Sequence, residues 1–212
     1  MREELLKVAK PILFNTEMVQ AILEDRKTVT RRVIKLENGY HLEGKASEIT
    51  ENIKLFGSDA IFYNEVETNK KLKSLYRIGD ILYVRETWQN GSFLEDNKGK
   101  AVDYIYKADD TKEYNSYSDW GIKWRPSIHM PKEAARIFLK VTDVRVEKLQ
   151  DITKDWNNFK KEGIIEEHGF RSEMHRDFIE LWDSTIKKHD LYNYGWEVNP
   201  WVWVIEFERV RI

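Results

Sequence analysis

Apolar positions at Met18, Val19, Ile22 and Leu23 recur at three- and four-residue spacings just after Asn15 and Thr16, either of which caps a helix well. A short helix is therefore predicted there. It runs into Glu24, Asp25, Arg26 and Lys27, after which the β-branched stretch Thr28 to Ile34 predicts a strand. From Leu36 to Leu75 the periodicity is lost in a Glu-, Lys- and Asn-rich stretch holding Gly39, Gly44 and Gly57, which predicts a polar insertion at about 36–75. Gly79 and Asp80 then turn the chain into Ile81 to Trp88, where Leu82, Val84 and Trp88 share one parity and Tyr83, Arg85 and Thr87 the other; Glu86 falls on the apolar parity.

Val102 to Lys107 predicts another strand. Pro126 and Pro131 bracket Ser127, Ile128, His129 and Met130, and two prolines so close exclude a central strand, so this stretch is expected as a loop at the mouth of a barrel. Ile137 to Val146 alternates as a long strand. Thr153 is placed to cap a short helix ending at Gly163, and Glu173 to Lys187 aligns Phe178, Leu181, Trp182, Thr185 and Ile186 on one helical face. After Pro200, Trp201 to Phe207 is the strongest strand signal in the chain. Regularly spaced strands with helices between and after them predict an α+β fold, a β-barrel sealed by helices in a single domain of 212 residues, rather than a parallel sheet.

Composition narrows the chemistry. A 41% hydrophobic content and eight Trp supply enough apolar area for a core. The chain has no cysteine, which excludes disulfides, thiolate metal sites and a Cys nucleophile. No apolar run reaches the roughly 20 residues of a membrane span, so the expected setting is cytoplasmic with no membrane partner. A net charge of −2 provides no global field for a polyanion, so any nucleic-acid contact is local. Its natural place is the corner Arg26, Lys27, Arg31 and Arg32, four basic residues in seven positions. His41, His168, His175 and His189 show no metal-ligand spacing, so no metal and no cofactor are expected.

Three stretches, Ile22-Leu23-Glu24-Asp25-Arg26-Lys27-Thr28-Val29-Thr30-Arg31-Arg32, Gly79-Asp80-Ile81-Leu82-Tyr83-Val84-Arg85-Glu86-Thr87-Trp88 and Trp124-Arg125-Pro126-Ser127-Ile128-His129-Met130-Pro131, resemble ASCH-domain proteins of phage and prophage type. The resemblance continues through Leu149 to Thr153, Glu162 to Ile164 and Asn199 to Phe207. It implies a PUA-like barrel that binds RNA or a modified nucleoside, and it extends to an amidohydrolase family that removes acyl groups from N4-acylated cytidine with a Lys, a Thr and a Glu. Matched residue by residue, these fall on Lys27, Thr30 and Glu162. The resemblance also implies a ligand-contacting set of Arg26, Thr28, Arg31, Arg32, Glu86, Trp88, Arg125, Ser127 and His129. Asp25 stands where a Gly is usual, which makes a positive φ less accessible at the corner.

Amide hydrolysis without a metal needs a nucleophile, a base and donors for the oxyanion. In one regular strand Lys27 and Thr30 would point to opposite faces, so Lys27 is expected in the turn and Thr30 in the strand. A lysine acts as base only when its pKa is lowered from about 10.4, and burial beside arginines pushes it that way. Glu162 would carry a proton or accept hydrogen bonds from the cytosine amino side; failing it, the acid would be Glu86, Asp151, Asp155 or Glu166. Two other functions fit the same residues: a noncatalytic reader of RNA or a modified base, and a ribonuclease on the same barrel.

Overall fold

The computed structural model describes residues 1–35, 59–62, 70–92, 103–110, 121–166 and 170–211. Its strands and helices are mixed along the chain, and the fold is α+β. Helix α1 (Arg2–Val8) leads into β1 (Lys10–Leu13), α2 (Thr16–Leu23) and β2 (Val29–Val33). Two short strands, β3 (Asp59–Phe62) and β4 (Lys70–Lys73), pair antiparallel inside the stretch expected as an insertion, the rest of which to residue 69 lies outside the described residues. Then come β5 (Ile81–Arg85), β6 (Trp88–Asn90), β7 (Tyr104–Tyr106) and the long β8 (Phe138–Lys148). Helices α3 (Asn157–Lys161), α4 (Arg171–Thr185) and α5 (Leu191–Tyr194) precede β9 (Trp201–Val210).

Hydrogen-bonded neighbours form one sheet in the order β1-β5-β8-β9-β2. Among the described residues no pairing of β1 with β2 closes it. β1 runs parallel to β5, pairing Lys10 with Leu82 through Leu13 with Arg85, a pairing the charged N-terminal sequence did not announce. The expected strand Ile81 to Trp88 breaks after Arg85, because Trp88 starts a separate hairpin with β7. That break falls at Glu86, the charged residue that spoiled the apolar parity. Thr153 does not cap a helix: it lies in a 3-10 turn, Leu149–Lys154, and donates to the Gln150 carbonyl.

Two compact units divide the chain. One comprises Met1–Arg26, Asp80–Lys140 and Glu208–Ile212; the other comprises Lys27–Gly79 and Val141–Phe207. In the first, Ala9, Tyr83, Trp88, Met130 and Phe138 form the buried cluster. In the second, Val29, Leu149, Ile152, Phe159, Met174, Phe178, Trp182, Val202 and Val204 do so, with α4 presenting Met174, Phe178 and Trp182 at four-residue spacing. Of the face the periodicity predicts, Phe178 and Trp182 are buried, Leu181 and Ile186 are half-buried and Thr185 is exposed, while Met174, which it did not include, completes the buried row.

Candidate functional site

Both halves of a buried polar cluster are delivered by helix stops. Helix α2, capped by the Asn15 side chain accepting from the Met18 N–H at 2.8 Å, ends as Asp25 takes φ +57°. The Asp25 N–H then donates to the Ile22 carbonyl and the Arg26 N–H to Ala21 at 2.8 Å, a Schellman stop. Asp therefore does here what Gly was expected to do, since its short polar side chain tolerates the left-handed region. Helix α3 stops the same way: Gly163 has φ +92°, its N–H donates to Lys160, and the Ile164 N–H donates to Phe159. Glu162 is the residue just before that glycine.

Between these stops the chain forms an isolated antiparallel bridge, Lys27 to Glu162. The Thr28 N–H donates to the Lys161 carbonyl at 2.9 Å. The Lys27 ammonium donates to Glu162 Oε2 at 2.6 Å and to the Glu162 carbonyl at 2.8 Å, across a separation of 135 residues. The other carboxylate oxygen accepts from Arg31 at 2.8 Å. The side chains of Lys27, Arg31 and Glu162 are 0%, 1% and 4% exposed, so three charged groups are held in a dry interior. Burying charges costs several kcal/mol per ion unless partners satisfy them, and here one carboxylate serves two cations.

The cluster continues through β8. Arg31 also donates to Glu147 at 3.3 Å, Glu147 accepts from Arg145 at 2.6 Å, and Arg145 reaches Asp143 and Glu206. Asp143, Arg145 and Glu147 share one parity of β8, so the alternation of that strand already carried a signal for this extension. Burial by itself raises the pKa of Glu162, but contact with Lys27 and Arg31 overrules it and holds the carboxyl below its ordinary range. Burial lowers the Lys27 amine, with Glu162 only partly restoring it.

Thr30 is 2% exposed and lies in β2 as expected, with Lys27 ahead of the strand. Alternation places Thr30 and Arg32 on the face of Ile205 and Trp203, their partners on β9, and Arg31 on the face of Val29 and Val204. The side chain sharing the carboxylate with Lys27 is thus Arg31, and Thr30 occupies the opposite face of β2. Arg32 has its pKa lowered by burial, opposed by Tyr76 and Glu162. Arg26 is only partly exposed and pairs with Glu24 at 2.5 Å, and Thr28 is exposed. The four basic residues of the corner therefore do not form one solvated edge, because Lys27 and Arg31 turn inward to carboxylates.

The remaining expected residues lie in the other unit. Glu86 is 1% exposed and receives two bonds from Arg136, each 2.9 Å; Arg136 also binds Asp109 at 2.6 Å and stacks on the Tyr106 ring at 3.9 Å. Burial raises the pKa of Glu86 against the opposing pull of Arg136, and raises that of Tyr106 to about 12. No sequence signal singled out Arg136, Asp109 or Tyr106. Trp88 is buried beneath Arg125, whose guanidinium lies 5.4 Å from the ring centre; Ser127 and His129 form a 3-10 turn, in which His129 is exposed. The alternative acids are engaged elsewhere: Asp151 with Lys154 at 2.8 Å, Glu166 with Lys160 at 2.9 Å, and Asp155 as acceptor from the Asn157 N–H at 2.9 Å.

No His, Asp or Glu cluster fit to hold a metal occurs among the described residues, and no described helix is long and apolar enough to cross a membrane. No family model matches the chain, and neither a curated protein nor a solved structure does.

Proposed function

We propose that this chain is an ASCH-type protein on a PUA-like barrel that recognises a nucleoside or RNA, and that it hydrolyses the amide of an N4-acylated cytidine at Lys27 and Glu162. One observation carries the reading. Two residues that the sequence resemblance nominates as base and acid, 135 positions apart, meet at 2.6 Å in a water-poor interior. Strongly perturbed charges in specific contact are where functional acid–base chemistry concentrates.

In this reading Lys27 works as the neutral amine: the Thr30 hydroxyl attacks the acyl carbon or polarises the group that does, and the Lys27 amine takes the proton and passes it to Glu162. The tetrahedral intermediate collapses with cleavage of the C–N4 bond, and Glu162 relays the proton to N4. An acyl ester on Thr30, where it forms, is released by water as the free acid, leaving cytidine. Lys27 has the lowered proton affinity a base requires.

The noncatalytic reader draws support from a different observation. The Lys27 ammonium is already spent on two oxygens of Glu162, and Thr30 lies across β2 from Arg31. In that case the ionised Glu162 serves as an acceptor for donors on the base.

The test is release of cytidine from a panel of N4-acylcytidines, followed by chromatography. Wild type should turn over, and Lys27→Ala, Thr30→Ala and Glu162→Gln should each be slower by about 10²- to 10⁴-fold with folding retained. Binding of the nucleosides without turnover above buffer would end the hydrolase reading and leave the reader.

A further inference from the structure

Three ionisable side chains share one dry point. Glu162 Oε2 accepts from Lys27 at 2.6 Å, Glu162 Oε1 accepts from Arg31 at 2.8 Å, and none of the three side chains is more than 4% exposed. With all three ionised the cluster carries one positive charge in excess, in an interior where an unmatched charge is strongly disfavoured. Arg32 on the same strand adds to that excess. The acids next in line, Glu147, Asp143 and Glu206, are a fifth to a third exposed and all bond Arg145, so water and that guanidinium screen them. Loss of one proton relieves the excess. A guanidinium keeps its proton in proteins and an ammonium can release one, so the proton that leaves is on Lys27.

Lys27 tolerates that loss. An amine keeps two N–H bonds, which serve both of its Glu162 acceptors, Oε2 and the backbone carbonyl at 2.8 Å. Burial pushes Lys27 towards the neutral form, and Arg32 and Arg31 push the same way against Glu162.

Arg31 is locked from several sides. Its backbone pairs with Val204 on β9, one guanidinium nitrogen bonds Glu162, and another reaches Glu147 on β8 at 3.3 Å. Glu147 is fixed in turn by Arg145 at 2.6 Å. At 1% exposure the Arg31 side chain offers nothing to a ligand, although the resemblance sets it among the ligand contacts. What it reaches is the carboxylate: it occupies Oε1, favours the ionised form and leaves Oε2 to Lys27.

We propose that Arg31 is the positioning residue that holds Lys27 as a free amine, by neutralising Glu162 in its place. Its catalytic consequence rests on the hydrolase reading: the amine has a lone pair for the Thr30 proton, and the ionised Glu162 is ready to take that proton on. Arg31 itself touches neither the substrate nor the moving proton.

The test follows the lysine side-chain nitrogens of the full chain by NMR across pH, the Lys27 signal being the one missing from Lys27→Met. In wild type it should lose its proton at lower pH than lysines at the surface. Arg31→Met should move the Lys27 midpoint to higher pH, and Arg31→Lys, which restores the charge, should bring it back. Glu147→Gln removes an anion on the far side of Arg31 and should move the midpoint the other way, to lower pH. In the cytidine-release assay, Arg31→Met should lose at least about tenfold in kcat near pH 7, keep KM within about twofold, and recover most of the loss near pH 9. Should Arg31→Met not fold, Glu147→Gln decides, since Glu147 is partly exposed. The proposal is overturned by a Lys27 midpoint that stays or falls in Arg31→Met, that Arg31→Lys does not restore, or that stays or rises in Glu147→Gln. A wild type without turnover ends the hydrolase reading, and the titration shifts then still uphold or overturn the role of Arg31.

Discussion

The Lys27–Glu162 corner and the Ser127–His129 turn were both legible as basic or polar motifs, yet the fold treats their charge in opposite ways. At the corner one carboxylate sits between Lys27 and Arg31, all three groups nearly dry. At the turn Arg85, Arg125, His129 and Lys132 have no carboxylate partner among the described residues. A basic run in a sequence therefore says nothing about where its charge emerges. Charges paired in the interior are committed to geometry and proton chemistry, while charges without a carboxylate at the surface remain available to an outside anion.

The largest effect that separates the two regions is on stability. Glu162→Ala leaves two buried cations facing one another and should cost about 3–5 kcal/mol, whereas Arg125→Ala, at an exposed site, should stay within about 0.5 kcal/mol. Urea unfolding of the two variants measures both, and equal costs would erase the distinction. The same denaturation across pH sharpens it. Glu162 has a depressed folded-state pKa, so its stabilisation is present above the ordinary carboxyl value of 4.5 and is lost as pH falls through the lowered value. Glu86 is raised, so its contribution has the opposite sign: it is present below 4.5 and is lost as pH rises through the raised value. Glu162→Gln should therefore cost most at neutral pH and least in acid, and Glu86→Gln should show the reverse trend.

A smaller effect probes how the corner is held. Glu147 touches Arg31 at 3.3 Å from a partly exposed position, so Glu147→Gln should cost about 1 kcal/mol in the same unfolding experiment. The least change is expected at the α2 stop. Asp25 occupies φ +57°, so Asp25→Gly should change stability by no more than about 1 kcal/mol, relief of the backbone being offset by removal of its 2.8 Å bond with Arg211. A larger drop would mean that the carboxylate, and not the turn, shapes the corner.

The helices α2 and α4 and the strands β2, β8 and β9 follow from periodicity, because each buries one face and that demand is written at fixed spacing. The parallel partner strand β1 was invisible for a converse reason: four residues behind a charged helix carry too little pattern to be distinguished from a loop. The strand break at Glu86 was half visible, since a carboxylate on an apolar parity signals either a partner or a bend, and here it meets Arg136 where β5 ends.

Residue order alone was enough for the local features: a helix cap at Asn15 or Thr16, a helix stop at Gly163, and Thr30 in the strand with Lys27 ahead of it. It took the packed chain to show that Arg31, and not Thr30, shares the carboxylate with Lys27, and that Arg85 joins a turn more than 40 residues downstream. Helix stops and strand faces depend on neighbours a few positions away, which a sequence states directly. Ion pairing depends on which distant segments the core brings together and on whether water is excluded where they meet, and those follow from packing the whole chain.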